Sequence, residues 1–214
     1  MGILFKIFRV VLVIVLPFLL LIRGSISIHT NYSLGAWMSL AGGAVLTALI
    51  LFIYMTFIYR RLTKKIGDKD NLQRRSLFAV ALVGVYCAYG LFFISSGNMK
   101  NPSLQKEITE MHPILRMGIS TFILIDKNMI ITDASRVPED YKKMGLKTAK
   151  STLHYKQKDG YAYAIDLRTN GRNEFRNKIM SWYFKVLGFR TLRHVGTDDH
   201  LHVSLYCHYR PGGR

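Results

Sequence analysis

Two histidines and an aspartate, His154, Asp166 and His202, are the side chains of this 214-residue sequence whose types best suit a divalent metal. Imidazole nitrogen and carboxylate oxygen are zinc ligands, and three protein ligands with one open position is the pattern of a catalytic zinc site. Cys87 and Cys207, the two cysteines, are too few for a thiolate site and suggest no disulfide framework. Asp199 stands three residues before His202, where it could take a proton from metal-bound water. Asp198 is the rival for that role. His200 is the rival ligand, because alternation along a strand puts 200 and 202 on one face. Asp166 follows the apolar pair Ala164-Ile165, which places a carboxylate at the inner end of a strand. An unpaired charge there is strongly unfavourable, and a cation would remove the penalty. His29, His112, His194 and His208 fall in no comparable pattern.

The order of these residues resembles the zinc-dependent D-alanyl-D-alanine metallopeptidase family, which includes D,D-carboxypeptidases, D,D-dipeptidases and phage L-alanyl-D-glutamate endopeptidases of peptidoglycan. That family carries a Ser-Gly-x-Arg-like segment, then Ser-x-His-x-x-Gly-x-Ala-x-Asp, then an acid-x-x-His continued as His-Val-Ser or His-Val-Asp. Here the segment Thr132-Asp133-Ala134-Ser135-Arg136 stands in the first place, Thr152-x-His154 and Ala162-x-Ala164-x-Asp166 in the second, and Asp199-x-x-His202-Val203-Ser204 in the third. The chain departs from the family in having Ala162 for its glycine and about five extra residues after His154, where Lys156-Gln157-Lys158-Asp159-Gly160 has the composition of an outward loop. The likeness covers roughly residues 110 to 210, about half of the chain, and rests on several short motifs in order. It implies one zinc ion held by His154, Asp166 and His202, with Asp199 as the base. It also implies that Arg136 polarises the scissile carbonyl or holds the oxyanion through its planar fork, and that the substrate is a peptidoglycan stem peptide.

The elements that must position these residues begin with a different kind of sequence. Residues 1–97 are mostly apolar, whereas 98–214 hold 20 Lys and Arg against 11 Asp and Glu. Three transmembrane helices are expected at about 3–23, 34–59 and 76–96, each near the ~20 apolar residues that a bilayer requires. The first also fits a signal peptide, but no clear small-x-small cleavage site follows it. Arg60, Arg61, Lys64, Lys65, Lys69, Arg74 and Arg75 make the 60–75 loop strongly basic. By the positive-inside rule that loop is cytoplasmic, the N-terminus with it, and the 24–33 loop and the domain after span three lie outside. A basic loop tethered at both ends beside lipid is explained by topology and anionic head groups, so no nucleic acid is expected. Spans two and three carry no charged residue, which disfavours a channel or proton pump. Gly42, Gly43, Gly84 and Gly90 allow close helix packing, within one chain or in a homo- or hetero-oligomer.

Residues 98–109 read as a linker and 110–214 as a small α+β domain with an antiparallel sheet. His112-Pro113 marks a helix boundary, and Phe122-Ile123-Leu124-Ile125 and Met129-Ile130-Ile131 resemble two short strands around a turn. Helices are expected from Val137 to about Met144 and over 174–187, the latter with Phe175, Ile179, Trp182 and Val186 on one side. Strands are expected over 161–167 and 200–209. The function this predicts is a membrane-anchored zinc peptidase of an extracytoplasmic face, in a bacterial inner membrane or a phage or virion membrane. Two other classes stay open: a non-catalytic wall-binding module, and a virion or membrane-assembly protein with a degenerate peptidase domain.

Overall fold

The computed structural model describes residues 2–143, 145, 147, 152–196 and 199–213, and the backbone alone for 3–14. Asp198, Met144 and part of the first expected span therefore lie outside the described residues or side chains.

Three long helices come first: α1 (Ile3–Tyr32), α2 (Ala36–Thr63) and α3 (Lys69–Phe92), packed α1 on α2 and α2 on α3. By length and composition α2 and α3 can each cross a membrane. Their apolar side chains mostly point outward, as with Val45, Leu49, Ile53 and Phe57 on α2, whereas a core helix of a soluble protein would bury them. The expected 24–33 loop is instead helical. Ser25 satisfies its hydroxyl inside the helix by donating to Leu21 O (2.7 Å), and Leu21, Ile22 and Ile26 are buried, so the polar residues do not end α1. Gly43 is required at the α1–α2 crossing, because a Cβ there would collide with Ser25 and sit 2.8 Å from Leu21 O. The basic stretch 60–75 is also mostly helical: Lys64 closes α2 at φ 58°, and the Asp68 side chain accepts from Asn71 N (2.9 Å) to cap α3.

The segment expected as a linker is folded. Asn98 donates to Lys127 O and Met129 O (2.8 Å each), Met99 bridges to Ile131, and the short helix α4 (Leu104–Thr109) buries Leu104 and Ile108. Helix α5 (Pro113–Ile125) then replaces the first of the two expected short strands. Pro113 opens it without an unsatisfied N–H, and the His112 ring accepts from Ile114 N (3.3 Å). Because α5 is buried on nearly all sides, its apolar run has no one-faced period by which to tell it from a strand.

Four strands form one antiparallel sheet in the order β1-β2-β4-β3: β1 (Ile131–Asp133), β2 (Ala164–Arg168), β3 (Arg190–His194) and β4 (His200–Ser204). Between them lie α6 (Pro138–Lys143) and α7 (Glu174–Leu187), the latter capped by Asn173 and ended by Gly188 at φ 102°. Alternation divides the sheet. Ile165, Leu167, Leu201 and Val203 share one core with Met180, Phe184 and Leu187 of α7 and with α5, while Asp166, His200 and His202 point to the other face. The core of the domain is continuous with the long helices: Ser120 donates to Gly90 O (2.7 Å), and Met117 lies against Gly90.

Candidate metal centre

The β2–β4 register sets Asp166 directly opposite His202, so the carboxylate and the imidazole meet on one face. Asp166 Oδ1 is 2.9 Å from His202 Nδ1. His154 arrives from the loop before β2. Tyr163 N donates to Leu153 O (2.8 Å) and Arg136 N to His154 O (2.9 Å), which fasten the Thr152–His154 segment between its neighbours. The extra residues after His154 turn back on themselves, with Gln157 N donating to Tyr161 O (2.9 Å) and Gly160 at φ 84°. They bulge away without displacing the histidine.

His154 Nε2 lies 3.3 Å from His202 Nδ1 and 3.4 Å from Asp166 Oδ1. Ligands at ~2.0–2.1 Å from a tetrahedral ion are roughly 3.3 Å apart, so this buried triangle has the dimensions of a three-ligand face. The structure thus holds a His154-Asp166-His202 group able to bind a metal ion. One further observation fits a cation. His154 Nδ1 donates to Ala134 O (2.6 Å), which leaves its Nε2 lone pair aimed at the other two atoms. His202 Nε2, by contrast, is buried without a hydrogen-bond partner among the described residues, and the ring packs edge-on against His194. Three acceptor atoms at these distances repel unless a proton or a cation lies between them.

The three groups are electrostatically coupled. Burial alone would raise the Asp166 carboxyl, but the facing His154 and His202 outweigh it and hold the group well below the usual carboxylate range. Burial would lower His154, and Asp166 more than offsets that, raising it.

Arg136 is in the site, turned inward. Its Nη2 donates to Asp166 Oδ2 (3.0 Å) and its Nη1 to Tyr141 Oη (3.1 Å), and the guanidinium also pairs with Asp133. Its planar fork is engaged by two carboxylates, Asp166 of the cluster and Asp133.

Asp199 does not join the cluster. It accepts from Arg193 Nε (2.5 Å) and Nη2 (2.7 Å) and from Thr169 Oγ1 (2.7 Å), and the Arg193 pairing lowers its carboxyl to about 2. Asp199 stands just before β4 and is held instead by Arg193 of β3 and by Thr169 after β2. A carboxylate so paired is a weak proton acceptor. His200 is on the His202 face, with Nε2 3.7 Å from Asp166 Oδ2, beside the three and not among them. His194, which no motif singled out, stacks on His200 with centroids 4.7 Å apart. Asp133 and Tyr141 were likewise missed as the partners of Arg136; only the 194–200 pairing had a signal, in the short hairpin spacing between β3 and β4.

No protein-family model matches the chain, and comparisons with curated proteins and with solved structures bring no match either.

Proposed function

We propose that the protein is a membrane-anchored zinc peptidase that cleaves peptide bonds of peptidoglycan stems or cross-links. The convergence of His154, Asp166 and His202 on one point is the observation that carries this reading. Two neutral-nitrogen ligands and one carboxylate favour zinc over magnesium or calcium, which take oxygen. Zinc supplies Lewis acidity and activates a water for hydrolysis. The chain's own residues prepare the site: Ala134 O fixes the His154 tautomer, and Arg136 holds Asp166 in place through its second oxygen. The sheet closes one side of the cluster, and the cavity that reaches His202 is bordered by Arg190, Leu192, Gly212 and Gly213.

The location follows from the charge pattern. Arg60, Arg61, Lys64 and Lys65 end α2 and Lys69, Arg74 and Arg75 begin α3, whereas the domain follows the other end of α3, about 36 Å away along its axis. With three spans the positive-inside rule then gives a cytoplasmic N-terminus and an outward-facing domain, where peptidoglycan is found.

One observation favours a second reading. The Asp199–Arg193 pair engages the carboxylate read as the base, as in a module that binds wall peptide and does not cut it. Full-length protein in detergent, incubated with muropeptides and zinc, separates the two. New peptide masses that vanish on chelation support the peptidase; binding of muropeptides with no product supports the module.

A further inference from the structure

Helix α7 is apolar on two sides. Met180, Tyr183, Phe184 and Leu187 are buried against the domain, yet Phe175 (70% exposed), Ile179, Trp182 (67% exposed) and Val186 form a second row, at i, i+4, i+7 and i+11, that faces outward. Exposed Arg176, Lys178 and Lys185 flank that row. The end of α7 abuts α1: a Cβ at Gly188 would strike the Arg23 guanidinium and lie 3.4 Å from Ile26. Helix α5, on which α7 packs, runs against α1, α2 and α3 and exposes Leu124 and Ile125 at its end. The row therefore belongs to an element docked on the same helices whose outward faces are apolar.

We infer that α7 lies in the outer interface of the bilayer crossed by the long helices, with Phe175, Ile179, Trp182 and Val186 in the acyl–headgroup boundary. Lys178, Lys185 and Arg176 reach lipid phosphates from the flanks. A large aromatic and aliphatic face with basic borders is the composition of an interfacial helix, and Trp is suited to that depth. The inference rests on the reading that α1–α3 span a membrane. It has one consequence for the site: α7 packs on the sheet face that carries Ile165, Thr191 and Val203, with Ser181 3.4 Å from Thr191, so docking it turns Asp166, His154 and His202 away from the lipid. The bilayer would then present the metal centre outward.

Trp37 and Trp182 are the two tryptophans of the chain, so each can be isolated. Full-length Trp37→Phe protein is reconstituted in phosphatidylcholine–phosphatidylglycerol vesicles containing lipids brominated near the head group or near the chain ends. Trp182 is expected to emit blue-shifted and to lose at least about half its emission to the shallow bromines, with weaker loss in Lys178→Glu/Lys185→Glu. A second protein, Trp37→Phe/Trp182→Phe/Leu49→Trp, reports the α2 span and should be quenched by the deep bromines. Quenching of the Leu49→Trp reporter without quenching of Trp182 overturns the inference and leaves the spans intact. A Trp182 that is blue-shifted but unquenched is covered by a second copy or another protein, and also overturns it. Loss of quenching at both positions rejects the membrane reading itself.

Discussion

Asp166 offers one carboxylate oxygen to each side of the site: Oδ1 stands 2.9 Å from His202 Nδ1, and Oδ2 accepts from Arg136 Nη2 at 3.0 Å. A single residue thus joins the candidate ligand set to the arginine that the motif order placed near it.

In the proposed zinc site Arg136 would act through Asp166, so Arg136→Gln should weaken zinc binding by about 10–100-fold without abolishing the fold. Competition with a chromophoric chelator measures this. Unchanged affinity together with a reduced turnover rate would return Arg136 to the carbonyl role that the family resemblance implies.

Asp199 gives a pH-dependent prediction. Its folded-state carboxyl is lowered to about 2 by Arg193, below the usual 3.8, so its stabilising contribution is present above pH ~4 and lost as pH falls towards 2. Asp199→Asn should therefore lower Tm at pH 7 and lower it by markedly less at pH 2.5, while zinc stoichiometry stays at wild type. Loss of zinc in Asp199→Asn would place the residue in the metal site after all.

Glu107 behaves in the opposite sense. Burial, aided by nearby Asp133, raises its carboxyl to about 7 from 4.5, so its contribution is full below pH ~4.5 and lost as pH rises through 7. Glu107→Gln should flatten the fall in Tm between pH 5 and pH 8. An equally steep fall in the variant would contradict the assignment.

Much of this was legible locally. Pro113 marked the start of α5, and α7 has the bounds that its periodicity suggested, because caps and turns are set by neighbouring residues. The apolar row read on α7 is the exposed one, however, because a helix with two apolar sides does not say which is the core. The triad was legible through the order of its motifs, whereas alternation alone left His200 and His202 equivalent; the pairing of β2 with β4 is what sets Asp166 opposite His202. Asp199 was misplaced because its partner, Arg193, comes from β3, and nothing within the acid-x-x-His spacing reveals that pairing. The linker failed for a tertiary reason, since Asn98 binds backbone carbonyls about thirty residues away, and the 24–33 loop for a local one, since Ser25 bonds to Leu21 O one turn back in the same helix.

The domain and the long helices share a core, so Gly90→Leu should destabilise both. The added side chain meets Met117, whose Cε would lie 2.8 Å from the new Cβ, and overpacking of this kind costs about 1–3 kcal/mol. Thermal unfolding in detergent is expected to show one lowered transition. Two transitions, with the domain's unshifted, would show that the domain is independent of the helices.

Metal content of the purified full-length protein tests the central claim most directly. After loading with zinc and removal of excess, elemental analysis should give one ion per chain, falling to near zero in Asp166→Asn and His202→Ala. A stoichiometry near zero in the wild type, or one ion retained when Asp166 or His202 is replaced, would contradict the account.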